Sequence, residues 1–160
     1  MIIIPYTTEP FAPTAAFPHK TSITRPVILT GLEYNNKVLQ FQFGSIIDSG
    51  ADHCVFPAQF GEAAGIDVRS GKEQASRGIG SDTAFFHQVN VRVFINNRQY
   101  QFPCWAGFMY SLDQIGKGLL GRHGFFELFD VISFKDQHIE LSPKSVTPSQ
   151  PHQAQDAANK

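Results

Sequence analysis

"FGSIIDSGADHCVFP", residues 43–57, runs an apolar segment straight into a carboxylate, Asp48, and follows it at once with Ser49, Gly50 and Ala51. Phe43, Ile46 and Ile47 read as the end of a buried strand. The small residues beyond them let the backbone turn sharply and bring amide and hydroxyl groups up to the carboxylate. The stretch therefore predicts an oriented, hydrogen-bonded Asp48 presented at a sheet edge.

Working outward, the dominant period is two. "NNKVLQFQF" at 35–43 alternates Leu39, Phe41 and Phe43 with polar neighbours, and "HQVNVRVFI" at 87–95 does the same with Val89, Val91, Val93 and Ile95. Both are predicted strands of an antiparallel sheet. Asn35-Asn36 and Asn96-Asn97 fall at the turns, where asparagine tolerates the positive φ of tight hairpins. The two hairpins share Asn-Asn, a basic residue and Gln-Phe at an offset of 61 residues. That offset is expected either from two half-size copies of one template or from the restricted chemistry of strands and turns. Only the first copy leads into Asp48-Ser49-Gly50; the second leads into Met109-Tyr110-Ser111.

Helical signals are few. "FPAQFGEAAGI" at 56–66 offers Pro57 as a helix start and Gly65 as a stop, and "GRHGFFELF" at 121–129 suits about two helical turns. "VISFKDQHIEL" predicts a last hairpin around Asp136-Gln137. The expected fold is mainly β with one or two short helices.

The 160 residues, 42% of them hydrophobic, suffice for one core of ordinary size. Residues 1–21 hold Pro5, Pro10, Pro13 and Pro18 and are expected to be an N-terminal tail or extension. Residues 144–160 have little to bury and are expected to be a flexible C-terminal tail, which leaves 22–143 as the folded domain. A formal net charge of -1 leaves no cationic excess for phosphates or anionic lipid, so neither nucleic acid nor membrane is expected as a partner. The apolar start breaks at Pro5 with no basic residue before it, which is unlike a signal peptide. Cys54 and Cys104 are too few for a disulfide scaffold and read as packed thiols of a reducing, cytoplasmic compartment.

Peptide hydrolysis by carboxylates needs one ionised as base and another protonated as acid. Two held about 3 Å apart supply both forms, because like charges that close share one proton. This chain has one suitable aspartate, so a second would come from a second chain.

At this point the motifs converge. "IIDSGAD" at 46–52, followed about seventy residues later by "GLLGRHGFF" at 118–126, resembles the retropepsin family of dimeric aspartic proteases, over roughly residues 24–142. The resemblance implies a closed β fold of two pseudo-repeated halves with one Asp-Ser-Gly loop per chain. It implies Asp48 as the catalytic aspartate and Ser49 as the residue bonding across a two-fold axis. Gly50 would meet the substrate backbone, and Ala51 and Asp52 would form the cleft floor. Gly121 and Arg122 would give structural support, with Arg122 bracing Asp52. "RGIGSDTAFF" at 77–86 is similar to the family's flap, with Gly78, Ile79, Gly80 and Ser81 at its tip; Asp82 beside that tip is a departure, as is His123 after Gly-Arg. The implied activity is an aspartic endopeptidase, working as a homodimer through its active-site loops on peptide or protein substrates with apolar residues around the cut. No cofactor and no metal are expected. The competing expectation is a dimeric peptide-binding or interaction module without turnover.

Other patterns have plainer readings. "GKGLLG" at 116–121 spells the dinucleotide fingerprint but lacks the βαβ unit that motif requires. His53 beside Cys54 suggests a thiol nucleophile, yet the apolar Val55 and Phe56 favour a packed thiol. His19, His53, His87, His123, His138 and His152 show no metal-ligand spacing and read as scattered surface residues.

Overall fold

The computed structural model describes residues 1–75 and 82–144. Among these, thirteen strands run in chain order: β1 (Ile2–Pro5), β2 (Thr7–Pro10), β3 (Ser22–Arg25), β4 (Val27–Tyr34), β5 (Lys37–Val38), β6 (Phe43–Ile47), β7 (Val55–Pro57), β8 (Lys72–Ala75), β9 (Thr83–Ile95), β10 (Arg98–Met109), β11 (Gly118–Leu120), β12 (Phe129–Phe134) and β13 (His138–Pro143). One α-helix, α1 (Ala58–Ala63), and short 3-10 turns at Val68–Ser70, Tyr110–Leu112 and Phe126–Leu128 accompany them. The expected helix over 121–129 is thus only the last of these turns.

The main sheet closes because β4 is paired along both edges. Val27–Thr30 run antiparallel to β6, and Leu29–Glu33 run antiparallel to β9. The order β4-β6-β11-β7-β10-β9 therefore returns on itself. Alternation sends Ile28, Thr30 and Leu32 of β4, Phe43, Ser45 and Ile47 of β6, and Val89, Val91, Val93 and Ile95 of β9 into the core. Each such apolar side chain contributes about 1.5–3 kcal/mol of transfer free energy.

Both Asn-Asn pairs turn as their chemistry requires. Asn35 and Asn36 have φ of 48° and 62°, and Asn96 and Asn97 have 48° and 63°. The two hairpins are conformational repeats at the turn and differ afterwards. β9 and β10 stay paired from Phe85↔Phe108 to Ile95↔Arg98. The first hairpin's return strand is only β5, so the continuous strand expected over 35–43 is broken. Leu39 still donates its amide to the Leu32 carbonyl at 2.8 Å and is buried; Gln40–Gln42 then leave the ladder before β6 begins.

The proline-rich start is structured. β1 pairs antiparallel with β13, Ile2↔Leu141 to Pro5↔His138, and Ile4 is buried with Ile139 and Leu141. β12, β13 and β1 form a separate three-stranded sheet. β2 and β3 make a hairpin whose Glu9 carboxylate meets Lys117 Nζ at 3.0 Å. Pro5 and Pro10 sit at strand ends, where a missing N–H interrupts no ladder. Residues 145–160, most of the expected C-terminal tail, lie outside the described residues, as do Gly78, Ile79, Gly80 and Ser81.

The feature that positions the site is the insertion of β11 between β6 and β7, two strands consecutive in the chain. Leu119 and Leu120 pair in parallel with Ile46 and Ile47, and Leu119 pairs antiparallel with Val55. The Asp48 amide donates to Leu120 O at 3.1 Å, the Arg122 amide to Ala51 O at 2.9 Å and the His123 amide to Asp52 O at 2.8 Å. This fit requires glycine at 121: a Cβ there would press on the His53 carbonyl and lie 2.7 Å from Ala51 O. Both obstacles are backbone and have no rotamer to escape into.

α1 begins at Pro57 without a cap from its own chain neighbours. Asp113 supplies one from afar. Its Oδ1 accepts the Gln59 amide at 3.0 Å, in the first turn, and its carbonyl accepts Gln59 Nε2 at 2.9 Å.

Two stability outcomes follow from these fits. Asp113→Ala should lower the unfolding free energy by about 1 kcal/mol, the usual worth of an N-cap, with an unchanged denaturant m-value. Gly121→Ala should cost about 3 kcal/mol, at the upper end for forced overpacking, read as a drop in the urea midpoint. A Gly121→Ala protein as stable as the parent would show that the strand insertion is looser than its hydrogen bonds indicate.

Candidate active site

Ile47 is buried and ends β6; Asp48, the next residue, is half-buried, and Ser49 and Gly50 are exposed. The carboxylate is fixed by the turn it starts. Asp48 Oδ1 accepts the Gly50 amide at 2.8 Å, and the Ala51 amide reaches back to Asp48 O at 3.3 Å. Among the described residues Oδ2 has no hydrogen-bond partner, and no second carboxylate pairs with Asp48. A side chain so held has one oxygen committed to its own loop and the other uncommitted.

Residues of the loop line two hollows. Ser49 lines one of about 440 Å³ with Arg122, His123, Phe126, Glu127 and Lys144. Ala51, Asp52 and His53 line the other, a cleft of about 200 Å³ whose apolar residues are Val55, Ala84, Phe86 and Met109, with Gln74 and Ala75 of β8 beside them. Arg122 and Asp52 thus face different hollows. Among the described residues no ion pair joins them, and the expected brace is instead made by the main chain, through the two amides that Arg122 and His123 donate to the loop. Arg122 itself is exposed.

The histidines are less scattered than expected. His53 and His123 pair as an isolated parallel bridge with ring centroids 5.1 Å apart, and His53 stands edge-on to Phe86 at 5.4 Å. Glu127 secures the turn beyond: its Oε2 accepts the Gly124 amide at 3.0 Å and its Oε1 lies 3.3 Å from His123 Nδ1. The Gly124 amide, with His123, holds the Glu127 carboxyl below the usual carboxylate range. Asp82, which follows the expected flap tip, accepts the Thr83 amide at 2.7 Å at the foot of β9. Ser111 beside it, with that amide, keeps its pKa low. Among the described residues no three His, Cys, Asp or Glu side chains converge so as to hold a metal ion, and no helix is long and apolar enough to cross a membrane.

The cleft residues His53, Val55, Gln74, Ala84, Phe86 and Met109 escape the sequence reading because they come from four separate segments. Only the adjacency of His53 to Asp52 gives a local signal.

No family model matches the chain, and no curated protein matches it. Among solved structures it is similar to a retropepsin-like aspartic protease from Rickettsia conorii, with a TM-score of 0.53 and 17% identity over 85% of this chain and 93% of that one. It is also similar to EIAV protease in complex with an inhibitor, with a TM-score of 0.38 and 17% identity over 61% of this chain and 82% of that one. The fold assignment rests on the first of these together with the closed sheet and the inserted β11. This chain has the retropepsin-like fold, mainly β and closed.

Proposed function

We propose that the protein is an aspartic endopeptidase that works as a homodimer, with Asp48 of each chain forming one catalytic pair. The observation that carries this reading is the half-buried Asp48 carboxylate, oriented by the Gly50 amide and without a second acid beside it among the described residues. Ser49, exposed beside the hollow that Arg122 and Glu127 also line, would meet the partner's loop. Two such carboxylates at short range cannot both ionise, so the pair holds one proton from acid to near-neutral pH. The ionised member takes a proton from a bound water as that water attacks the scissile carbonyl. The protonated member donates to the carbonyl oxygen as it becomes tetrahedral, and return of these protons releases amine and acid.

The substrate would lie extended, hydrogen bonded as an added strand with alternate side chains in pockets. The cleft beside Asp52 supports a preference for apolar residues near the cut, since Val55, Ala84, Phe86 and Met109 offer hydrocarbon. β8 and the start of β9, paired Lys72↔Phe86 to Ala75↔Thr83, would be the stem of a flap that closes over the peptide, with Gly78 to Ser81 proposed as its tip.

Incubation of the purified protein with a mixed peptide pool from acid to near-neutral pH tests this. Cleavage with a bell-shaped pH profile is expected, reduced roughly 10³-fold or more in Asp48→Asn, with sedimentation giving a dimer for both proteins. Undiminished cleavage by Asp48→Asn, or a strict monomer that still cleaves, would overturn the reading. Peptide binding without turnover at any pH would assign the chain to a binding module instead.

A further inference from the structure

Two histidines that the proposed chemistry leaves unused stand side by side on one hollow. His53 follows Asp52 in the active-site loop, and His123 follows Arg122 in the turn after β11. The isolated parallel bridge between them puts both side chains on one face, at the spacing of neighbouring strands, about 4.8 Å. Their ring centroids are 5.1 Å apart and the rings are inclined by 32°. Both residues line an open hollow of about 350 Å³ together with Trp105 and Glu127.

We propose that His53 and His123 form a two-imidazole site for a late first-row divalent ion such as Zn²⁺, and that the bound ion adds a side-chain tie to the main-chain bonds joining the active-site loop to the turn after β11.

The rings stand at the separation such an ion needs. A Zn–N bond of about 2.0–2.1 Å puts the metal about 3.2 Å from the centre of each imidazole, and two imidazoles at a near-tetrahedral angle then have centres about 5 Å apart. Ligation therefore asks for rotation of the rings and not for movement of the chain.

The nitrogens are available. Among the described residues the imidazole hydrogen bonds belong to His87, His123 and His138, so both ring nitrogens of His53 are uncommitted. His123 uses Nδ1, which lies 3.3 Å from Glu127 Oε1, and that bond leaves Nε2 as the ligand. A carboxylate on the far nitrogen is the usual partner of a metal-bound imidazole, because it fixes the tautomer and makes the ligating nitrogen more basic. Glu127 is itself held, its Oε2 accepting the Gly124 amide at 3.0 Å, and its charge offsets part of the ion's.

With two protein ligands, the remaining positions on the ion go to water, which the open hollow admits. Imidazole selects zinc, copper and nickel, whereas Mg²⁺ and Ca²⁺ prefer oxygen. Neither histidine belongs to a local ligand pattern, because the insertion of β11 is what brings the pair together.

The chain's single tryptophan reports on the site, since Trp105 lines the same hollow. Freshly reduced, desalted full-length protein is titrated with Ni²⁺, which quenches indole fluorescence at short range. Quenching should saturate at one ion per chain; Zn²⁺ or EDTA should restore the emission, and Mg²⁺ should neither quench nor restore it. His53→Ala and His123→Ala should each weaken Ni²⁺ binding at least about tenfold, and Glu127→Gln should weaken it about tenfold through the lost orienting charge. His123 is exposed, so its variant tests the site even where His53→Ala folds poorly. Saturating zinc should slow hydrogen exchange of the Arg122 and His123 amides, which bond to Ala51 O and Asp52 O. Quenching that never saturates, that persists in the histidine variants or that zinc does not reverse would overturn the site. Unchanged exchange at those two amides in the zinc-saturated protein would overturn the tie.

Discussion

The loop that carries Asp48 is held by main-chain hydrogen bonds from a segment about seventy residues further along the chain. β11 lies between β6 and β7, so those strands must part at Asp48, and the gap is filled by Gly118–Leu120 and sealed by Gly121 against two loop carbonyls. A backbone brace leaves side chains free. The brace uses main-chain atoms of Asp48 and Asp52 and no side-chain atom of Asp48, Ser49 or Asp52; the one side-chain oxygen committed within the loop is the Asp48 Oδ1 that accepts the Gly50 amide. That freedom is what a reactive or ligand-facing group needs, and a brace of side-chain ion pairs would have used it up.

The same insertion makes the site a property of the whole barrel. β11 has only three residues, and it holds its place because β6 is anchored by β4, β4 by β9, β9 by β10, and β10 by β7 in parallel register, Val55↔Gly107. Burial reinforces the circle: Phe56, Phe108, Phe125 and Leu120 are fully enclosed and sit on or beside those strands. Pairings this distant in sequence, with Ile2 against Leu141 at the extreme, impose a large loop-closure cost before they return any stabilisation. Loosening one strand of the ring therefore disturbs the loop at Asp48 as well.

Local chemistry made much of this legible from sequence. Paired asparagines mark both hairpin turns because few other residues accept positive φ twice in succession. Period-two valines mark β9 because each second residue enters the core. Pro57 marks the start of α1, and Asp136-Gln137 marks the last hairpin. Other features depend on partners that no window contains. "GLL" has no period to detect, and its role comes from its two neighbours. The run at 35–43 alternates well but breaks after Leu39, since alternation records burial and not ladder hydrogen bonds. Proline suggested a tail at residues 1–21, although proline at a strand end is compatible with pairing, and Ile2 and Ile4 find β13 only in three dimensions. Asp113 as the cap of α1 is invisible for the same reason: its separation from Gln59 exceeds any local motif.

The two hollows that the loop lines bear on the proposed pairing of two chains. One hollow is lined by hydrocarbon with Asp52, His53 and Gln74 around it, a surface that can accept an apolar side chain while keeping its polar groups wet. The other brings Ser49, Arg122, Glu127 and Lys144 together around Phe126, a surface that offers another loop both hydrogen-bonding groups and apolar contact. Asp48 directly precedes Ser49, which lines the second hollow, and has one oxygen committed to Gly50. In the proposed pair, that committed oxygen resists rotation of the carboxylate, and the uncommitted one faces its counterpart across the shared proton. Orientation of each acid is thus set within its own chain, and the charge state is set only between chains, so assembly would switch on acid-base chemistry without rebuilding either loop.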